Sequence, residues 1–231
     1  MFVGSPIAEI LAALLAFLIG GVPFGWLFAR TVKGVDLRTI GSGNVGATNA
    51  ARLYTGRASI YAFCFVFILD AMKGFAAAWW SPNLSTWLGA HAYEDTVRVA
   101  CGSAAILGHV FTPYLGWKGG KGVATALGVV AALATWSALY AVGAWGVVLV
   151  FTRYVSLGSI VAMGTIPITY FLRYKSEALH GRLGVFLFLT VSAGIVIWRH
   201  RGNIARLLEG RESRIGARTA APAPAPTDRV V

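Results

Sequence analysis

Charge is scarce in this chain. Only 13% of its 231 residues are charged while 57% are hydrophobic, and acidic side chains are scarcest, nine against twenty lysines and arginines. A soluble domain usually has about 25% charged residues, so a soluble globule is excluded, and the mean hydropathy of +0.67 excludes disorder for most of the length. Cysteine is nearly absent too. Cys64 and Cys101 both lie in apolar stretches and read as small buried hydrophobes, which excludes a disulfide scaffold. The four histidines are scattered, so no metal site is implied. No basic leader precedes the first apolar run and no cleavage site follows it, so that run reads as retained. An integral membrane protein is the class that remains.

Apolar runs mark the spans. Residues 10–29, 99–117 and 154–172 carry no charge over 19 or 20 positions each, near the ~20 that a helix needs to cross hydrocarbon. Residues 183–198 give a sixteen-residue run whose basic flanks can snorkel. Residues 58–80 form another span, interrupted by Asp70 and Lys73. The uncharged stretch 122–152 is too long for one upright helix and too short for two full ones.

Loop charge resolves that stretch. If it is a hairpin of two short helices, the loop 30–57, the loop near 118–121, Arg153 and the tail from 199 share a side. That side then holds fifteen of the twenty basic residues and the other side only Arg98, Arg173, Lys175 and Arg182. The positive-inside rule therefore predicts an all-α bundle of seven helices, N-terminus outside and C-terminus cytoplasmic. It also accounts for the formal charge of +11 without nucleic acid, since no clustered basic face on a soluble module is present. Residues 1–214 read as one membrane-embedded domain and 215–231 as a disordered Pro/Ala-containing tail.

Three polar clusters fall on the basic side. The first is Gly41-Ser42-Gly43-Asn44-Val45-Gly46-Ala47-Thr48-Asn49, closed by Arg52. Its glycines match GxGxxG, but no strand precedes it, so dinucleotide binding is rejected. Glycines still let backbone N–H groups approach an anion; Ser42, Asn44, Thr48 and Asn49 add donors and Arg52 a planar fork. Read alone, the segment is equally a turn whose polar groups cap the next helix. The second cluster, Trp117-Lys118-Gly119-Gly120-Lys121-Gly122, departs from the Walker A pattern, leaving a glycine turn and an ammonium at a helix start. Two interfacial anchoring lysines would look the same. The third runs from Arg199 to Glu212, with His200, Asn203 and Arg206 three apart, which places them on one face of a continuing helix. Asn203 is alternatively the cap of a new helix from Ile204.

Other polar residues sit inside the apolar runs. Asp70 and Lys73 share a helix face; intramembrane charges are costly, and a self-neutralising pair that braces the bundle is preferred over direct catalysis. Ser156 and Ser159 open the sixth helix near the basic side. His109 reads as a packing or hydrogen-bonding residue.

Together and in order, these clusters resemble the bacterial acyl-phosphate:glycerol-3-phosphate acyltransferases, the PlsY family. Gly108-His109, Asp70-x-x-Lys73-Gly74 and Tyr154-x-Ser156-x-x-Ser159 fit as well, and the likeness covers residues 5 to about 214. The resemblance implies transfer of a fatty acyl chain from acyl phosphate to the sn-1 hydroxyl of glycerol 3-phosphate. The products are lysophosphatidic acid and inorganic phosphate, the first step of phospholipid synthesis. It implies no cofactor, a monomer, lipid as surroundings, and a multi-pass enzyme of the bacterial inner membrane with its site at the cytoplasmic face. Ser42, Arg52, Lys121, His200 and Asn203 are then the candidate catalytic residues. Gly41, Gly43, Asn44, Gly46, Thr48, Asn49, Gly119, Gly120, Ser156, Arg206 and Glu212 are the candidate binding residues. Ser42 and Thr48 face the acyl phosphate, Arg52 and Lys121 clamp phosphate charge, and His200 and Asn203 position glycerol 3-phosphate. Glu212 orients an arginine or supports the tail helix.

Two rivals come from other classes. A transporter of a phosphate-bearing solute would suit Asp70, Lys73 and the basic loops, although its site belongs near the midplane. A non-catalytic lipid scaffold would leave the side chains of all three clusters unexplained.

Overall fold

A computed structural model of the chain describes residues 6–88 and 94–215. The Pro/Ala segment lies beyond these, as does most of the tail expected from 215. The described residues form helices α1 (Pro6–Gly21), α2 (Phe24–Lys33), α3 (Ala47–Ala51), α4 (Gly56–Trp87), α5 (Glu94–Val110), α6 (Val123–Leu133), α7 (Thr135–Thr152), α8 (Val155–Tyr174), α9 (Ser176–Leu179), α10 (Leu183–Arg199) and α11 (Arg201–Leu208). The all-helical expectation holds among them. Four stretches are long and apolar enough to cross a membrane: Ile7–Lys33, Gly56–Trp87, Thr135–Thr152 and Val155–Tyr174. The pair α10–α11, bent by 55°, brings these to five. Leucine, isoleucine, phenylalanine and tryptophan stand exposed along α1, α4 and α7, while the buried contacts are largely alanine, valine and glycine. That inverted distribution is the packing of a bundle solvated by lipid.

The stretch 122–152 does turn back. Lys121 at its start and Ser156 just past its end both reach the C-terminal segment, through Asn203 and Glu212. At the other extreme the Arg173 guanidinium lies over the Trp136 ring, 5.6 Å from its centroid. The turn is Ala134, which separates an eleven-residue α6 from an eighteen-residue α7. The expected two short helices do not both appear: α7 is long enough to span, while α6 rises only about 16 Å at 1.5 Å per residue. What lets α6 sit deep is close backbone contact. A Cβ on Gly74 would stand 2.1 Å from the Thr125 carbonyl oxygen, and one on Gly128 1.9 Å from that of Ala71.

Three boundaries differ from the charge-free runs, each for a local reason. The first span breaks at Val22–Pro23, because Pro23 has no N–H to give Ile19 and the Val22 N–H takes that carbonyl instead (3.2 Å). The freed Val22 carbonyl accepts from Lys73 Nζ at 2.8 Å. Helix α4 runs seven residues past the expected end at 80, straight through Pro82. The Ala78 carbonyl, which Pro82 cannot serve, accepts from Ser81 Oγ at 2.9 Å. Helix α5 stops at Val110 rather than 117, where Thr112 caps a short turn over Pro113–Leu115 and its hydroxyl donates to the Gly21 carbonyl at 2.6 Å. Cys101 is buried as expected, but Cys64 is exposed on the outer face of α4.

Candidate active site

All three polar clusters meet at one cavity. Its lining takes Ser42, Asn44, Gly46, Thr48, Asn49 and Arg52 from the first loop, and Lys121 from the second. Ser156 comes from the start of α8, and His200, Asn203, Arg206 and Glu212 from the last segment. Gly41, Gly43, Gly119 and Gly120 are not on its surface. The cavity also reaches Asp70 and His109, which sequence reasoning assigned to bracing and packing. Its inner wall is apolar, with Phe63 and Trp145 stacked at 6.0 Å across α4 and α7 and Phe67 beside them.

The first loop is built around Asn49. Its buried amide donates to the Leu37 and Ile40 carbonyls (3.0 and 2.9 Å), and its Oδ1 accepts from the Ser42 backbone N–H (3.1 Å). Asn44 Oδ1 accepts from the Gly46 N–H at 2.9 Å. Gly41 and Gly43 have φ of +56° and +68°, a region that side chains with a Cβ rarely adopt. Asn49 and these glycines therefore shape the loop, while the exposed Ser42 and Thr48 and the Arg52 side chain line the cavity, Arg52 Nη1 also donating to Asn49 Oδ1 at 3.4 Å. Gly119 and Gly120 likewise spend their N–H groups, on the Val110 and His109 carbonyls at 3.0 and 3.1 Å.

Glu212 is the hub of the last cluster. It accepts from Ser156 Oγ (2.7 Å), Asn203 Nδ2 (2.6 Å) and Arg206 Nε (2.7 Å), while Asn203 Oδ1 accepts from Lys121 Nζ. Burial pushes the Glu212 carboxyl up, but the donors from Asn203, Ser156 and Arg206 outweigh it and hold the group below its ordinary value. Asn203 lies within the first turn of α11 and does not start a helix at Ile204; its N–H and that of Ile204 both go to the His200 carbonyl. His200 itself is the break between α10 and α11. Its Nδ1 donates to the Val196 carbonyl at 2.8 Å, so Nε2 carries the free lone pair. Burial and then the Lys121 charge pull this imidazole down to about 4, so it is neutral at working pH.

Lys121 is a largely buried cation of the cavity. Burial lowers its ammonium to about 8; Glu212 opposes, and Arg206, Arg52 and Arg199 reinforce the fall. Glu212→Gln removes the negative charge that opposes this fall, so the Lys121 ionisation should move further below 8 and kcat/KM should fall roughly tenfold at pH 8. A pH–rate profile of the variant beside wild type checks both.

Fold and cavity together define a polytopic membrane protein with a cationic cavity, walled partly by aromatics, at one end of its helices. The family model "Glycerol-3-phosphate acyltransferase" matches residues 10–210. A curated glycerol-3-phosphate acyltransferase of Endomicrobium trichonymphae is 40% identical over 208 residues, 90% of this chain and 96% of that protein. One from Bordetella pertussis is 42% identical over 203 residues, 88% and 90% of the two. The crystal structure of PlsY, an integral membrane glycerol 3-phosphate acyltransferase, in its glycerol 3-phosphate form, superposes with a TM-score of 0.77 at 38% identity. It covers 90% of this chain and 96% of that one. Its lysophosphatidic acid form gives 0.75 at 37% identity. The chain belongs to the glycerol-3-phosphate acyltransferase family and is an enzyme of that activity, which sets the transporter and the scaffold aside.

Proposed function

We propose that the cavity transfers a fatty acyl chain from acyl phosphate to the sn-1 hydroxyl of glycerol 3-phosphate, releasing lysophosphatidic acid and inorganic phosphate. The observation that carries this reading is the joining, in one cavity, of a cationic rim and an aromatic wall. A phosphate group and a long apolar chain are the two ends of an acyl phosphate. The relatives, glycerol-3-phosphate acyltransferases, supply glycerol 3-phosphate as acceptor.

In this reading Ser42 and Thr48 hold the donor's phosphate, while Arg52 and Lys121 neutralise the charge that grows on it as the acyl C–O bond breaks. His200 Nε2, Asn203 and Arg206 orient glycerol 3-phosphate, and Ser156 and Glu212 keep Asn203 and Arg206 in place. The acceptor oxygen bonds to the acyl carbon, phosphate departs, and the hydroxyl proton leaves with that phosphate. No covalent enzyme intermediate is needed, because acyl phosphate is already activated and positioning supplies the rest. An imidazole held near 4 is a weak base, but it is neutral at working pH and its Nε2 lone pair remains available to accept a hydrogen bond. His200→Gln should therefore raise the KM for glycerol 3-phosphate about tenfold and lower kcat less. Loss of kcat by a thousandfold at unchanged KM would make His200 the base instead.

Membrane placement belongs to the same proposal. Counting α1–α2 and α6 as one crossing each, with α4, α5, α7, α8 and α10, gives seven, with the basic end cytoplasmic and the N-terminus outside. Arg38, Lys121, Arg153 and Arg206 all belong to segments at the cavity end, whereas Arg173 and Arg182 lie at the other. The protein then works as a monomer in the inner membrane, residues 1–214 forming the catalytic domain. Purified enzyme given acyl phosphate and glycerol 3-phosphate should form phosphate and lysophosphatidate in equal amounts. Phosphate without the acylated product would overturn the acceptor.

A further inference from the structure

The cavity's lysine is carried by a loop that two groups outside the proposed substrate contacts hold in place. Gly120 is buried. Its N–H donates to the His109 carbonyl at 3.1 Å, and its own carbonyl accepts from Arg199 Nη2 at 3.1 Å. Its α-carbon faces the His109 ring so closely that a Cβ there would stand 2.1 Å from Nε2, with all three nearest atoms belonging to that ring. The ring is itself fixed from behind. His109 Nδ1 lies 3.7 Å from Asp70 Oδ1, which pairs with Lys73 Nζ at 2.7 Å, and Lys73 also donates to the Val22 carbonyl. Asp70, Lys73 and His109 are each more than nine-tenths buried. A chain of contacts thus runs from the break in the first span, through the buried ion pair, to the residue beside Lys121.

We propose that His109 and Arg199 are positioning residues of the acyltransfer reaction, a clamp on the two sides of Gly120 that sets where the Lys121 ammonium stands in the cavity. The inference rests on the phosphate-binding role proposed for Lys121. Arg199 grips the loop from the end of α10, immediately before His200, so one element seats both the lysine loop and the imidazole. His109 grips it from the end of α5. Neither need touch substrate for the effect: loosening either side lets Lys121 swing toward water. The groups facing that ammonium are Arg52 at the end of α3, Arg199 and His200 at the end of α10, and Asn203, Arg206 and Glu212 in the last segment. A released Lys121 regains hydration, so its ionisation rises from about 8 toward that of an ordinary lysine.

A mutant cycle tests the clamp. Gly120→Ala should drive the loop off the ring and cut kcat/KM at least tenfold, and His109→Ala should cut it several-fold, both moving the alkaline limb of the profile upward. The double variant gives the new methyl the space of the missing ring. It should be at least tenfold more active than the product of the two single losses predicts. Multiplicative losses, or an unmoved alkaline limb in both single variants, would overturn the proposal. Arg199→Lys and Arg199→Met provide the second arm, which does not disturb the buried pair. The lysine variant keeps a charge and a donor for the Gly120 carbonyl and should retain most activity, and the methionine variant should not. Equal activity of those two would also overturn the clamp. Lys121→Met is run alongside: full activity there would sink the lysine's own role, a failure distinct from that of the clamp. In that case the cycle is read from thermal unfolding, where rescue in the double variant supports the Gly120–His109 contact and additivity refutes it.

Discussion

Lys121→Met is expected to lower kcat/KM by about a hundred- to a thousandfold, as removal of one charge-stabilising donor does in other enzymes. The side chain lies between Asn203 and three guanidinium groups in a partly buried cavity, where water screens poorly. Its wild-type behaviour with pH follows from the same burial. With the ammonium held near 8, rising pH removes this cation from the free enzyme, and kcat/KM should fall tenfold per unit above about 8. A bound phosphate favours the charged form, so kcat should hold to higher pH than kcat/KM. The methionine variant should lose that alkaline limb altogether. Rates from pH 6 to 10 for both proteins decide the matter, and a limb that survives in Lys121→Met would assign it elsewhere.

The second large effect is on stability. Asp70→Leu leaves the Lys73 ammonium, 4% exposed, with no counter-charge, only the Val22 carbonyl and the face of the Phe24 ring beside it. Removing one partner of a buried ion pair costs about 3–5 kcal/mol. Changing both, as Asp70→Leu with Lys73→Met, removes the stranded charge and should recover most of that loss. Thermal unfolding in detergent should rank the proteins wild type, double variant, then Asp70→Leu. If the double variant is the least stable, the pair's net charge balance is not what secures it.

The hairpin over 122–152 was legible in the distribution of arginine and lysine, because only a returning chain puts Lys121 and Arg153 on one side. The order of the three motifs likewise announced a common site, since loops that share a membrane face can converge. Helix ends were less legible. A run without charge includes capped turns and proline breaks, and hydropathy does not separate Thr112 or Val22–Pro23 from the helix before them. Helix α4 differs in the other direction, passing the expected end at 80 and running through Pro82, because the Ser81 hydroxyl replaces the missing donor within the helix. Asn49 and Gly119 showed their polarity and flexibility in the sequence, but whether those donors point at a ligand or at their own loop depends on long-range pairing. Arg199 was one basic residue among many. Its one distinguishing sign, adjacency to His200, had no meaning until Gly120 was seen beside it.

The stacked Phe63 and Trp145 carry a consequence for how a lipid substrate is handled. Pulling a chain of about fifteen methylenes from hydrocarbon into water would take roughly 12 kcal/mol at ~0.8 kcal/mol each. Both rings are only half-buried, on the helices α4 and α7 whose neighbouring side chains already face lipid. A donor that keeps its tail among such side chains while its phosphate enters the cationic rim never makes that transfer. The acylated product, already lying in the leaflet, need not make it either. In the proposed reaction the membrane is then the reservoir through which one reactant arrives and one product leaves, while water delivers glycerol 3-phosphate and takes away phosphate.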